Sequence, residues 1–193
     1  LRGSERAAAA LNDSIALIDR VRESGLEPTV AAAAAIAASL RRGGKLLLFG
    51  NGGSAAEAAH TATELVGRFM RDRRGYPAVA LTSDGCLMTS IANDYGYEQL
   101  FARQIEALGR AGDVALGLTT SGGSPNVVRG LEAARALQLA TIALTGRDGG
   151  AAGRAADIHI NVPSDATPRV QEVHMALLHV ICDLVESELA AEQ

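Results

Sequence analysis

Apolar positions divide the chain before any motif is considered. Between Ser4 and Ser24, Leu11, Ile15, Ile18 and Val21 recur at helical spacing, which predicts a first helix. A second is predicted over Pro28–Arg42, because proline suits a first helical turn and Gly43-Gly44 ends the run. This pair carries more apolar surface than a cap needs, and is expected to pack against another subunit. From Lys45 the pattern changes to short apolar runs: Lys45–Gly50, Ala78–Thr82, Val114–Thr119, Thr141–Thr145 and Ile158–Val162. Each reads as a buried strand. Helical segments are predicted between them, near Ser54–Phe69, Tyr97–Leu108 and Ser124–Leu137, with a closing helix over about Thr167–Ala190. Strands without strict alternation, separated by helices, predict an α/β fold with a parallel sheet covered on both faces. No linker, repeat or low-complexity stretch splits the chain. The expectation is one three-layer domain over 1–193: a helical pair at about 4–42, a sheet core at about 45–162, and the closing helix at about 167–190.

Composition narrows the function classes. The chain of 193 residues is 48% hydrophobic, 21% charged and only 3% aromatic, with 21 glycines and a net charge of −4. It has no basic stripe; its densest cluster, Arg68, Arg71, Arg73 and Arg74, includes Asp72. Nucleic-acid binding is therefore set aside. The run Thr29–Leu40 is too short to span a bilayer. Cys86 and Cys182 show no metal-like spacing and read as small core residues in a reduced, cytoplasmic setting. No signal peptide is seen, and Leu1-Arg2-Gly3-Ser4 reads as a remnant of expression.

Ligands of such sheets bind outside the carboxyl ends of the strands. Gly50-Asn51-Gly52-Gly53-Ser54 lets the backbone approach a ligand and sets amides at a helix start, which favours an anion. Gly50-x-Gly52-x-x-Ala55 also satisfies a dinucleotide fingerprint, but Asp84 stands too late for the usual ribose partner. A second loop, Thr119-Thr120-Ser121-Gly122-Gly123-Ser124, gathers four hydroxyls and free amides without a fixed cation, as a phosphate monoester requires. The bland alternative is Ser124 as a plain N-cap. Two such loops in one sheet fit a phosphorylated small molecule better than a dinucleotide. In a third segment, Ile91–Gly96, Asn93 and Asp94 either bind sugar hydroxyls or shape a turn.

His60 and Glu64 share a helix face and offer half of a zinc site, although such a pair is common on solvated helices. The closing helix holds Gln171, Glu172, His174 and His179. Gln171 and His179 stand about 12 Å apart along an ideal helix and roughly 80° around it, so one ion reaches both only if they lean together. Spacing leaves open His174 as a ligand, or His179 as a buried structural histidine.

Phe49-Gly50-Asn51-Gly52-Gly53-Ser54-Ala55-Ala56, His60, Glu64, Ile91-Ala92-Asn93-Asp94-Tyr95-Gly96, Thr120-Ser121-Gly122, Leu144-Thr145-Gly146 and Val170-Gln171-Glu172-Val173-His174 together resemble the phosphoheptose isomerases. These are sugar-isomerase (SIS) domain proteins, and the resemblance covers about Lys45 to Leu189. It implies a flavodoxin-like, doubly wound sheet, a homotetramer with sites near subunit contacts, and conversion of sedoheptulose 7-phosphate to D-glycero-D-manno-heptose 7-phosphate. That reaction opens nucleotide-activated heptose synthesis. The resemblance also implies zinc on His60, Glu64, Gln171 and His179, with Glu64 and His179 as the proton-transfer pair. Substrate is expected on Asn51, Gly52, Gly53, Glu64, Asn93, Asp94, Thr119, Thr120, Ser121, Ser124 and Gln171, with Arg68 nearby. Glu57, Ala59, Thr119 and Ala166 depart from the usual Asp, Gln, Ser and Asp. A second class within the family consists of non-catalytic phosphosugar-binding regulators, one associated with a replication initiator protein. That relative lacks a histidine where this chain has His179, so retention of His179 favours the enzyme.

Overall fold

All five apolar runs become strands of one parallel sheet in a computed structural model, which describes residues 2–190. The strands are β1 (Leu46–Gly50), β2 (Ala78–Ala80), β3 (Val114–Thr119), β4 (Ala140–Gly146) and β5 (Ile158–Val162). They lie in the order β2-β1-β3-β4-β5. β1 and β3 are buried throughout, because helices cover both faces. Leu46, Leu48, Leu116 and Leu118 face one layer, whereas Leu47, Phe49, Ala115 and Ala143 face the other.

The first layer contains α1 (Gly3–Glu23), α2 (Glu27–Arg41), α3 (Gly53–Val66) and α8 (Thr167–Ala190). The second contains α4 (Gly85–Tyr95), α5 (Leu100–Leu108), α6 (Pro125–Ala136) and α7 (Gly150–Ala155). The crossover from β1 through α3 runs one way along the sheet, and that from β3 through α6 runs the other. β1 and β3 therefore flank the switch point, where a doubly wound sheet opens a crevice. Gly50 lies level with Leu118, so the loops leaving the two strands are neighbours.

Several boundaries depart from the sequence reading. α4 and α7 are additional helices. α4 buries only Ile91, so it carries no apolar stripe, and α7 is six residues long with two glycines. β2 keeps only three residues of its run, and α3 ends at Val66 rather than Phe69. The first helix buries Ser14, Leu17 and Val21, leaving Leu11, Ile15 and Ile18 exposed. Only Val21 of the expected stripe belongs to the core. Cys182 is buried as expected, but Cys86 is exposed. No helix among the described residues is long and apolar enough to cross a membrane.

Candidate active site

The switch point positions the two small-residue loops against each other. Gly52 has φ 55° and ψ −118°, a conformation glycine adopts freely, and it turns the chain from β1 into α3. At Gly53 a Cβ would stand 2.2 Å from Gln171 Nε2, so the absence of a side chain lets the α8 amide lie on the loop. Asn51 and Asn126 exchange two amide hydrogen bonds of 2.8 Å, and Asn51 Oδ1 also accepts from Tyr97 Oη at 2.9 Å. The Asn51 side chain is thus a brace between the β1 loop and the start of α6. Asn126 and Tyr97 carry no signal in the sequence that marks them as its partners.

Across the crevice, Thr119 Oγ1 lies 2.8 Å from Ser124 Oγ and 3.2 Å from Ser121 Oγ. Ser124 precedes α6 but its side chain makes no cap hydrogen bond, so the plain N-cap alternative fails. Instead the hydroxyls form one cluster, and the expected free amides of Gly122 and Gly123 are engaged within the loop, donating to the Thr119 carbonyl and to Ser121 Oγ, each at 3.2 Å. Together the two loops and the start of α8 line a cavity of about 260 Å³, which includes Asn51, Gly53, Thr120, Ser124, Thr167 and Gln171. Its donors are hydroxyls and amides with no lysine or arginine in the lining, a setting suited to an anion bound by backbone and O–H groups. Thr167, from the end of the β5 loop, was not among the expected site residues.

Two turns further along α3 and α8 is the second feature. His60 Nε2 lies 3.0 Å from His179 Nε2 and 3.3 Å from Glu64 Oε1. One ligand atom from each of the three side chains lies within 4.8 Å of the others. Two imidazoles and a carboxylate suit a divalent cation with a further coordination position open. Phe69 stacks near His179, with ring centroids 5.5 Å apart. His174, the competing ligand, is fully buried and lies with Nε2 3.0 Å from the Thr145 carbonyl. It is not part of the cluster.

Gln171 is placed at the cavity, against Gly53. Three of the four expected ligands, His60, Glu64 and His179, thus meet in one cluster, and Gln171 stands eight residues, about 12 Å of ideal helix, before His179. The contacts pair Gly53 with Gln171 and His60 with His179, so α3 and α8 run parallel and present cavity and cluster on one seam. Asn93 and Asp94 are exposed at the end of α4, joined by a 2.8 Å hydrogen bond, and lie outside the cavity lining. Arg68 is exposed just beyond α3 and also lies outside it.

Comparison with known proteins gives this geometry a family. The SIS domain model matches residues 11–146. The phosphoheptose isomerase of Geotalea daltonii is 54% identical over 140 residues, covering 72% of this chain and 73% of the relative. This chain belongs to the phosphoheptose isomerase family of SIS-domain proteins. Its fold agrees with two solved phosphoheptose isomerases. That of Neisseria gonorrhoeae has a TM-score of 0.90 at 44% identity, covering 95% of this chain and 98% of the other. That of Francisella tularensis has a TM-score of 0.91 at 36% identity, covering 97% and 100%. Within the SIS-domain frame the dinucleotide fingerprint loses its acidic partner as well, since Asp84 caps α4 by accepting from Leu87 N–H at 3.0 Å.

Proposed function

We propose that this chain interconverts sedoheptulose 7-phosphate and D-glycero-D-manno-heptose 7-phosphate by proton transfer through an enediol. One observation carries the reading: an imidazole–carboxylate–imidazole cluster shares a helix seam with a cavity built for an anion. Seven residues separate Gly53 from His60, about 10 Å of helix. Helical side chains lean toward their N-terminus, which brings His60, Glu64 and His179 back toward the cavity. Eight bonds separate the first carbon of an extended heptose 7-phosphate from phosphorus, a span of about 9 Å at the rise of a stretched chain. Phosphate at the cavity thus leaves the reacting carbons near the cluster.

In this reading Thr120, Ser121 and Ser124 hold the phosphate with neighbouring amides, and that remote binding orients the reacting end. Thr119 sets the hydroxyl cluster, while Gly52, Gly53 and Gln171 close the opposite wall. Glu64 and His179 divide the proton transfers between carbon and oxygen. Zinc held by His60, Glu64 and His179, with the Gln171 side chain leaning in as the fourth ligand, would polarise the substrate carbonyl and stabilise its developing negative charge. Asn93 and Asp94 would serve sugar hydroxyls of a site completed by a neighbouring subunit. The exposed stripe Leu11, Ile15 and Ile18 supports a homotetramer, and the phosphorylated substrate supports a cytoplasmic setting.

Incubation with sedoheptulose 7-phosphate and zinc should yield the aldose phosphate. Glu64→Gln and His179→Ala should each lower turnover by at least ~10²-fold with the fold intact by circular dichroism. Turnover near the unaltered rate in either variant removes that residue from the mechanism.

A further inference from the structure

The segment that leaves α3 carries a buried ion pair whose hydrogen bonds lead back to the site. Arg73 and Glu186 have side chains only 6% and 1% exposed, with 2.9 Å between guanidinium and carboxylate. Glu186 accepts three consecutive backbone N–H groups, from Phe69, Met70 and Arg71, at 2.9–3.0 Å. Arg73 donates to the carbonyls of Glu64 at 2.9 Å, Leu65 at 2.8 Å and Gly67 at 3.1 Å. A helix normally leaves its last carbonyls without intrahelical partners. Here a single guanidinium takes two of those at the end of α3, Glu64 and Leu65, with the Gly67 carbonyl just beyond, and a single carboxylate from α8 takes three amides that follow.

A buried ion pair is weak evidence for stability, because packed hydrophobic residues often serve as well. What apolar side chains could not do is fix three groups at once. Glu64 is bonded through its own carbonyl. Phe69 is bonded through its amide and stacks on His179. His179 stands seven residues, two helical turns, before Glu186 on α8. We propose that Arg73 and Glu186 are positioning residues, which hold Glu64 and His179 in register across the α3–α8 seam. The inference rests on the reading of Glu64 and His179 as the proton-transfer pair.

The test is Glu186→Gln, which keeps volume and one acceptor oxygen but removes the charge. Measured well below its melting temperature, the variant should lose kcat by about 10²-fold, the effect of misplacing a catalytic group by an ångström. KM should stay within about twofold, since the phosphate loops are untouched. In metal-free protein the His179 imidazole signals should shift and broaden, while those of His159 on β5 stay in place. Arg73→Lys keeps the cation but not the fork, and should lose kcat likewise, which preserves the test if Glu186→Gln does not fold. A lowered melting temperature with unaltered kcat and unaltered His179 signals would reduce the pair to a structural role and overturn the inference. That result, with Glu64→Gln and His179→Ala still inactive, leaves the isomerase reading standing. Full activity in those two variants would instead remove the premise of both.

Discussion

Glu57 and His174 meet between α3 and α8, and each leaves one buried atom without a hydrogen-bond partner. Glu57 Oε2 and His174 Nδ1 lie 4.0 Å apart. Burial pushes the Glu57 carboxyl up to about 7, against a hydrogen bond from Ser54. Burial likewise pushes His174 down to about 4, against its bond to the Thr145 carbonyl. Taken alone, the raised Glu57 value removes stability as pH rises from 4.5 to 7, because the folded state then holds the extra proton. The depressed His174 value removes stability as pH falls from 6.5 to 4. Between 4.5 and 6.5 both states hold one proton, on the carboxyl when folded and on the imidazole when unfolded, so the pair is silent. Glu57→Gln breaks that cancellation. Its melting temperature relative to the unaltered protein should rise steadily between pH 4.5 and 7. A difference independent of pH would mean that Glu57 titrates as an ordinary carboxyl. The sequence showed His60 and Glu64 on one face but could not choose between His174 and His179. Helical spacing gives direction around an axis, whereas the choice depended on which imidazole reached His60 and which was held at the Thr145 carbonyl.

Among the elements, the strands were legible because burial on both faces writes continuous apolar runs. The end of α3 was not, since it is set by Arg73 and by Glu186 from the far end of the chain. Nor was the division of α1. Ser14 belongs to its buried face because Arg169 on α8 donates to its hydroxyl at 2.9 Å, while the apolar Leu11, Ile15 and Ile18 point away. Val180 of α8 is 42% exposed and, with Ile18, lines an apolar groove of about 190 Å³. Such a patch marks a contact surface, and the proposed tetramer would cover it. Ile15→Glu with Ile18→Glu should therefore reduce the mass found by sedimentation equilibrium, with helical content retained. An unchanged mass would place the subunit contacts elsewhere.

At the scale of the whole molecule, function follows from three placements. The strand order sets the β1 and β3 loops side by side, so glycines and hydroxyls from distant segments face one anion-sized cavity. The parallel run of α3 and α8 carries a cluster of His60, Glu64 and His179 along the same seam. The spacing of cavity and cluster then suits a phosphorylated seven-carbon chain. The proton transfer can be followed by isomerisation in deuterium oxide, read by NMR after prolonged incubation of sedoheptulose 7-phosphate with the zinc-loaded protein. Proton transfer through an enediol predicts solvent deuterium at the second carbon of the aldose phosphate, with labelled aldose appearing at least ~10²-fold more slowly in Glu64→Gln. Aldose that forms without any label would mean that hydrogen crosses between the carbons directly, with no enediol and no proton-transfer role for Glu64 and His179.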